Sequence, residues 1–446
     1  MRFVALIALA FTTSAHAVGL ADGVKIGEVT PESAVLWARL TAETEANHRV
    51  DKWDADQLHW TVPGADGSLH FEYWPKNDPK DVGQTAIHTV TADDDYCHQV
   101  KIDGLRPATE YRYICYAKGA DGSRTSIQES FTTAPASDAA APIRFTVSTC
   151  QDFPRRDDLK NGHKIYRSMA ALKPDFFVQT GDTLYYDKPD PFAKDIATAR
   201  YKWNRLYALP FLRDFHSKTP SYWMHDDHDV LKDDCWPGQT YGDLTWEQGL
   251  KVWREQIPQS EKPYRQFRWG KHLEIWLPEG REFRSPNTMK DGPEKSIFGK
   301  EQWKWLESSM TASDATFKLF VSATPVVGPD RKNKKDNHAN AGFEHEGNRL
   351  RSFLKSIPGC FVINGDRHWQ YHSIDPESGI QEFGCGPASN QHAGGWSQDN
   401  KRPEHQFLRV KGGFLSVEIE PNQATVIHHD VDGKPVNTTV IAAPSN

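Results

Sequence analysis

Apolar and polar residues alternate in short runs along the first part of the chain. Between Gly23 and Thr133 the segments SAVLWARL, FEYW, TAIHTVTA, CHQVKIDGL, TEYRYICYAKG and TSIQESFTT follow the two-residue period of half-buried antiparallel strands. The run DGLRPATEYRY, Asp103 to Tyr113, places a Leu, a Pro and a Tyr as a β-sandwich places its tyrosine corner. These features predict a small fibronectin type III-like β-sandwich over residues 22–134. An Ala-, Pro- and Ser-rich run, TTAPASDAAAP, then reads as a linker, assigned to residues 135–142.

From residue 143 the pattern changes. IRFTVSTC, DFFVQTGD, SYWMHDD, FKLFVSATPV and GCFVINGD are apolar strands. NGHKIYRSMAALKP, the region Ile196–Phe215 and the region Lys300–Met310 read as helices between them. Strands alternating with helices predict an α/β unit over 143–446, its sheet covered on both faces. FLSVEIEP and ATVIHHDVDGKPV read as a closing hairpin, and NTTVIAAPSN as a strand and a loose end.

Composition narrows the class. The chain has 446 residues with 38% hydrophobic and 25% charged residues, as a folded two-domain protein has. A net charge of −7 excludes a general basic field for nucleic acid, and no internal run is long and apolar enough to be a transmembrane segment. The one basic run, RKNKK at Arg331–Lys335, reads as a solvated loop. Residues 1–17, MRFVALIALAFTTSAHA, have the layout of a Sec-like signal peptide: Arg2, an apolar run, then Ala15-His16-Ala17. The expected location is therefore periplasmic or extracellular. Oxidising surroundings would allow disulfides among the six cysteines, and Cys97 with Cys115, in neighbouring strand-like segments, is the pair expected.

The chemistry collects at the strand ends. VSTCQD ends in Cys150 and Asp152. VQTGDTLYYD holds Asp182, Tyr185 and Asp187, and SYWMHDDHD holds Asp226, Asp227, His228 and Asp229. VINGDRHWQYH holds Asp366, His368 and His372. Open α/β sheets place their sites at the carboxyl ends of strands. Carboxylates converging there would repel one another unless a cation joined them, and a thiol, a phenol, imidazoles and carboxylates suit transition or mixed metals.

GDTLYYD, DDHD and NGDRH, in this order after a strand ending in STCQ, resemble the motifs of the PhoD-type alkaline phosphatases. These belong to the calcineurin-like metallophosphoesterase superfamily and are related to purple acid phosphatases. The resemblance covers nearly the whole chain after residue 17. It implies a metallophosphoesterase-type αββα sandwich behind the N-terminal β-sandwich. It further implies that Cys150, Asp182, Tyr185 and His368 hold Fe3+. Asp182 would bridge to a second metal, Ca2+, with Asp227 and Asp366 completing that pole and Asp233 a further candidate ligand. His228 would stand near the leaving group and, with Asp182, form the catalytic pair. The activity implied is hydrolysis of phosphomonoesters, phosphodiesters or both by a hydroxide activated between two metals.

The strand FVSATPV carries Ser322, Ala323 and Thr324 where the superfamily often has another metal-binding histidine. Asn337 and His338 are the nearest polar residues and, with Arg155, are candidates for contacting substrate. Two alternatives stay open. One keeps the site but makes phospholipids or phosphate-linked polymers the substrate, as a phospholipase D-like phosphodiesterase. The other is a catalytically silent surface protein that grips glycans.

Overall fold

The computed structural model describes residues 18–51 and 54–445. The signal-peptide assignment falls outside them. Two sheets face each other. The first has nine strands in the order Pro435–Ala442, Gln423–Asp430, Gly413–Ile419, Ile143–Ser148, Phe176–Thr180, Ser221–Met224, Val24–Gly27, Ser33–Arg39 and Cys97–Asp103. The second has seven, ordered Arg265–Trp269, Leu273–Leu277, Phe317–Ser322, Cys360–Asn364, Gln381–Cys385, Gln370–Ile374 and His405–Arg409.

Period-two alternation builds the layers. Phe176 and Val178 point between the sheets, where they meet Phe317, Leu319, Phe361 and Ile363, while Phe177 points outward. On that outer face Phe177 and Trp223 pack against the helices Lys164–Ala171, Ile196–Tyr207, Pro210–His216 and Trp246–Gln256. The last of these starts with a capping box between Thr245 and Gln248. Across the molecule Trp276, Phe320 and Val362 face the helices Gly299–Ala312 and Glu344–Ser356. The result is the αββα sandwich expected. Its strands are apolar on both faces because both are covered, and each fully buried Phe or Leu contributes about 1.5–3 kcal/mol.

The N-terminal strands form the expected sandwich, with a core of Ile26, Leu36, Leu69, Phe71, Ile102, Tyr113 and Phe131. Its corner is present: the Arg106 N–H donates to Tyr111 Oη at 2.9 Å. One of its sheets is not separate, however. Val24–Gly27 runs parallel to Ser221–Met224, with Gly27 opposite Ser221, so this half of the sandwich continues the nine-stranded sheet. Tyr113 Oη also donates to the Ser217 carbonyl at 2.7 Å. Residues 135–142 form neither strand nor helix.

The expected Cys97–Cys115 disulfide is absent; all six cysteines are free. Cys97 opens a strand of the nine-stranded sheet and packs beside Gln256, whereas Cys115 lies in the opposing five-stranded sheet. Consecutive strands here belong to facing sheets. The closing hairpin is a three-stranded meander, because Pro435–Ala442 adds to its edge.

Candidate metal centre

Three parallel strands of the first sheet, Ile143–Ser148, Phe176–Thr180 and Ser221–Met224, end side by side. Cys360–Asn364 of the second sheet ends against them. A Cβ on Gly365 would lie 2.6 Å from both Thr149 Oγ1 and Thr180 Oγ1, so only glycine permits this approach. The Asp366 N–H then donates to Thr149 Oγ1 at 3.3 Å. Cys150, Asp182 and Asp366 each adopt left-handed backbone conformations, with φ of 51°, 52° and 62°. Such conformations cost energy for side chains with a Cβ, and they cluster where a fold aims groups at a shared point.

Asp182 is the centre of the arrangement. Its Oδ2 lies 3.4 Å from Cys150 Sγ and 3.0 Å from Tyr185 Oη, and Tyr185 Oη is 3.3 Å from His368 Nε2. Ligand atoms of Cys150, Asp182 and His368 lie within 4.8 Å of one another, and so do those of Asp182, Asp227 and His228. Asp182 belongs to both groups. Its Oδ1 is buried with no hydrogen-bond partner among the described residues. A third group of Asp227, Asp233 and Asp234 adjoins the second.

The electrostatics match. Burial, with Asp182 and Asp366 adding to it, pushes the Cys150 thiol pKa well up. Burial and the neighbouring Asp182 and Cys150 raise the Tyr185 phenol. Asp182 itself is held well above the usual carboxylate range by burial and the nearby Asp227, Asp226 and Asp366, against the opposing pull of His228. Burial outweighs any positive charge beside these groups, and a cation would offset it. The donor set and the orphaned Asp182 oxygen therefore fit metal ions.

Supporting groups fix these side chains. Asp229, fully buried, accepts the backbone N–H groups of Asp182 and Thr183 at 2.7 Å each, of Asp226 at 2.8 Å and of Leu184 at 3.3 Å. It ties the GDTLYYD loop to the DDHD loop. Arg281 Nε pairs with Asp226, and its Nη2 lies 3.7 Å from Asp227. His228 Nδ1 bonds Asp187 Oδ1 at 2.8 Å, and its Nε2 is 3.8 Å from Asp233. Burial lowers the His228 pKa, but Asp227, Asp182 and Asp187 together outweigh it and hold the ring well above its ordinary value.

Cys150, Asp182, Tyr185, Asp227, His228 and His368 thus converge. Asp366 stands at the same strand end, paired with Arg367 at 2.7 Å, and Asp233 is 62% exposed at the rim. Arg155 is half-exposed and pairs with Asp152 at 3.4 Å. Asn337 and His338 are buried and engaged elsewhere: Asn337 Nδ2 donates to Asp330 at 2.8 Å, and His338 Nε2 bonds Glu346 at 3.2 Å. His372 stacks on Phe383 and bonds Gln381.

Two groups escaped the sequence reading. His392 lies with its ring 4.0 Å from that of His368 and 5.2 Å from Tyr185, its Nδ1 3.0 Å from the Cys150 carbonyl. A bridge between Thr149 and Pro387 brings it there, and no local motif announces that. The second is Lys334. The RKNKK loop is not simply solvated: the Lys334 side chain is only 12% exposed and pairs with Asp233 and Asp234.

Similarity to known proteins identifies the family. Residues 145–411 match the PhoD-like phosphatase family, and residues 7–135 match the PhoD-like phosphatase N-terminal domain. Alkaline phosphatase D of Bacillus subtilis (strain 168) is 22% identical over 479 residues, spanning 90% of this chain and 76% of that protein. A solved structure of PhoD superposes with a TM-score of 0.74 at 18% identity, covering 97% of this chain and 90% of that one. A purple acid phosphatase from yellow lupin (Lupinus luteus) seeds follows at 0.68 and 13% identity, covering 96% of this chain and 74% of that one. With a family match over more than half its length, the chain belongs to the PhoD-like phosphatases and is a phosphoric ester hydrolase.

Proposed function

We propose that this chain is an exported phosphatase that hydrolyses phosphomonoesters, phosphodiesters or both at a two-metal centre. The observation that carries the reading is Asp182, shared by two candidate ligand groups and holding one buried oxygen without a hydrogen-bond partner among the described residues. Cys150, Tyr185, His368 and Asp182 would hold the first ion, for which thiolate and phenolate favour Fe3+. Asp182, Asp227 and Asp366 would hold the second, with Asp233 at its edge and oxygen donors favouring Ca2+. Bound there, the pair would supply Lewis acidity to the phosphoryl oxygens and a nucleophilic water at neutral pH.

The chain's own residues do the rest. Asp187 fixes the His228 ring through Nδ1. The second proton of the imidazolium then lies on Nε2, from which it can pass to the departing oxygen of the ester. Arg281 holds Asp226 and Asp227 in place, and Asp229 holds the Asp182 loop. Residues 22–134 and 143–446 are the two units of this reading, joined through 135–142. Export rests on the N-terminal seventeen residues; among the described residues no helix is long and apolar enough to cross a membrane.

The test is nitrophenol release from nitrophenyl phosphate and from bis-nitrophenyl phosphate, before chelation, after it, and after iron with calcium is restored. The reading expects activity lost and regained, with the two substrates giving the monoester-to-diester preference. A folded protein inactive in every metal condition would overturn it.

A further inference from the structure

We propose that Lys334, on the Arg331–Lys335 loop, binds the phosphoryl oxyanion of the substrate beside the second metal pole; the inference rests on the phosphatase reading above. Lys334 Nζ lies 2.6 Å from Asp234 Oδ1 and 3.1 Å from Asp233 Oδ1. The Asp234 N–H in turn donates to Asp227 Oδ2, so one short chain of contacts links the ammonium to a proposed ligand.

Three arginines nearby are buried and held in place by bonds to acidic or backbone groups. Arg281, Arg284 and Arg367 are at most 5% exposed. Arg281 is spread over Asp226, Asp227 and Asp336, Arg367 over Asp330 and Asp366, and Arg284 donates to Asn287 and to the Asp336 carbonyl. None can turn to an incoming anion without stranding a buried carboxylate or carbonyl. Lys334 can. One of its partners, Asp233, is 62% exposed, and an ion pair to so exposed a group is worth at most about 1 kcal/mol. Exchanging Asp233 for a phosphate oxygen therefore costs little, and the compact ammonium keeps its bond to Asp234. Arg331, 31% exposed on the same loop, lies 3.9 Å from Asp330. A cation in this place favours the dianionic group of a monoester over the monoanionic link of a diester.

The competing account makes Lys334 a structural counter-ion. Steady-state kinetics on the purified metal-containing protein separate the two. Lys334→Met should raise KM for nitrophenyl phosphate, and the inhibition constant for inorganic phosphate, roughly tenfold or more, with a smaller change in kcat. The diester KM should rise less. Lys334→Arg should recover most of the loss, and Lys332→Ala, an exposed neighbour, should stay within about twofold of wild type. KM and phosphate inhibition unchanged in Lys334→Met, with a lowered melting temperature, would overturn the proposal. If the wild type turns over neither ester, the phosphatase reading fails, and calorimetric titration with inorganic phosphate still decides Lys334. Weaker phosphate binding in the variant supports the proposal; equal binding, or none to the wild type, refutes it. Should Lys334→Met not fold, Lys334→Gln, which keeps a polar head for Asp234, replaces it in both assays.

Discussion

Asp229→Asn isolates what orders the site from what binds there. The substitution keeps shape and removes one acceptor oxygen. In the native chain Oδ1 accepts from Thr183 and Leu184, and Oδ2 from Asp182 and Asp226. An amide retains a single acceptor, so two of these charge-assisted bonds are lost, at about 1.5–3 kcal/mol each. Its NH2 group would also face backbone donors. Relief from burying a carboxylate offsets part of this, leaving a net loss of roughly 2–4 kcal/mol. The larger effect is on geometry. The Asp182 loop loses its tether to the DDHD loop, and outer supports of metal ligands typically govern about 10- to 100-fold in affinity or activity. The assay combines a thermal melt, metal content after dialysis against a weak chelator, and turnover of nitrophenyl phosphate. The expected outcome is a lower melting temperature, depleted metal and a rate reduced by at least about tenfold, partly restored by excess metal. A variant that melts, retains metal and turns over like wild type would refute the tethering argument.

Gly365→Ala should block the approach of the two sheets, because its Cβ would meet two threonine hydroxyls at 2.6 Å and the Thr180 carbonyl at 2.7 Å. About 1–3 kcal/mol of stability should be lost along with metal retention, and a melt with native stability would count against the close-approach reading. Acid should destabilise the fold through His428, which is fully buried and has its pKa pushed down to about 3 by burial, against the pull of its bond to the Tyr371 carbonyl. Between pH 6.5 and about 3 the unfolded chain takes up a proton that the folded ring refuses. Stability should therefore fall with pH at about 1.4 kcal/mol per unit for this group, and His428→Gln should flatten the slope. An unchanged slope in that variant would disprove the assignment.

Most of the architecture was legible because it is written in local periodicity. Phe176, Phe177 and Val178 form a run apolar on both faces, and such a run predicts a covered strand. The convergence of these side chains was legible for a related reason: Cys150, Asp182, Asp227 and Asp366 closely follow strand ends, which brings them to a common edge. Features that depend on which strands become neighbours were not. One pairing, Gly27 with Ser221, merges the sandwich with the larger sheet, and nothing in VKIG specifies that partner. The same ambiguity misled the cysteines. Cys97 and Cys115 lie in consecutive strand-like runs, yet the chain crosses from one sheet to the other between them. His392 reaches the centre through a single bridge at Pro387, and Lys334 through a loop whose composition alone reads as solvated. Asn337 and His338 looked available in sequence. Burial commits them to Asp330 and Glu346 instead.

On the proposed mechanism Asp182 joins two metal ions. The most direct measurement is metal stoichiometry together with the visible spectrum of the purified protein and of Asp182→Asn. Two metal ions per chain are expected in the wild type, which should be coloured by charge transfer from Cys150 and Tyr185. The folded variant should show loss of metal from both poles, loss of colour and loss of turnover. A folded Asp182→Asn protein that keeps both metals and full activity would contradict it.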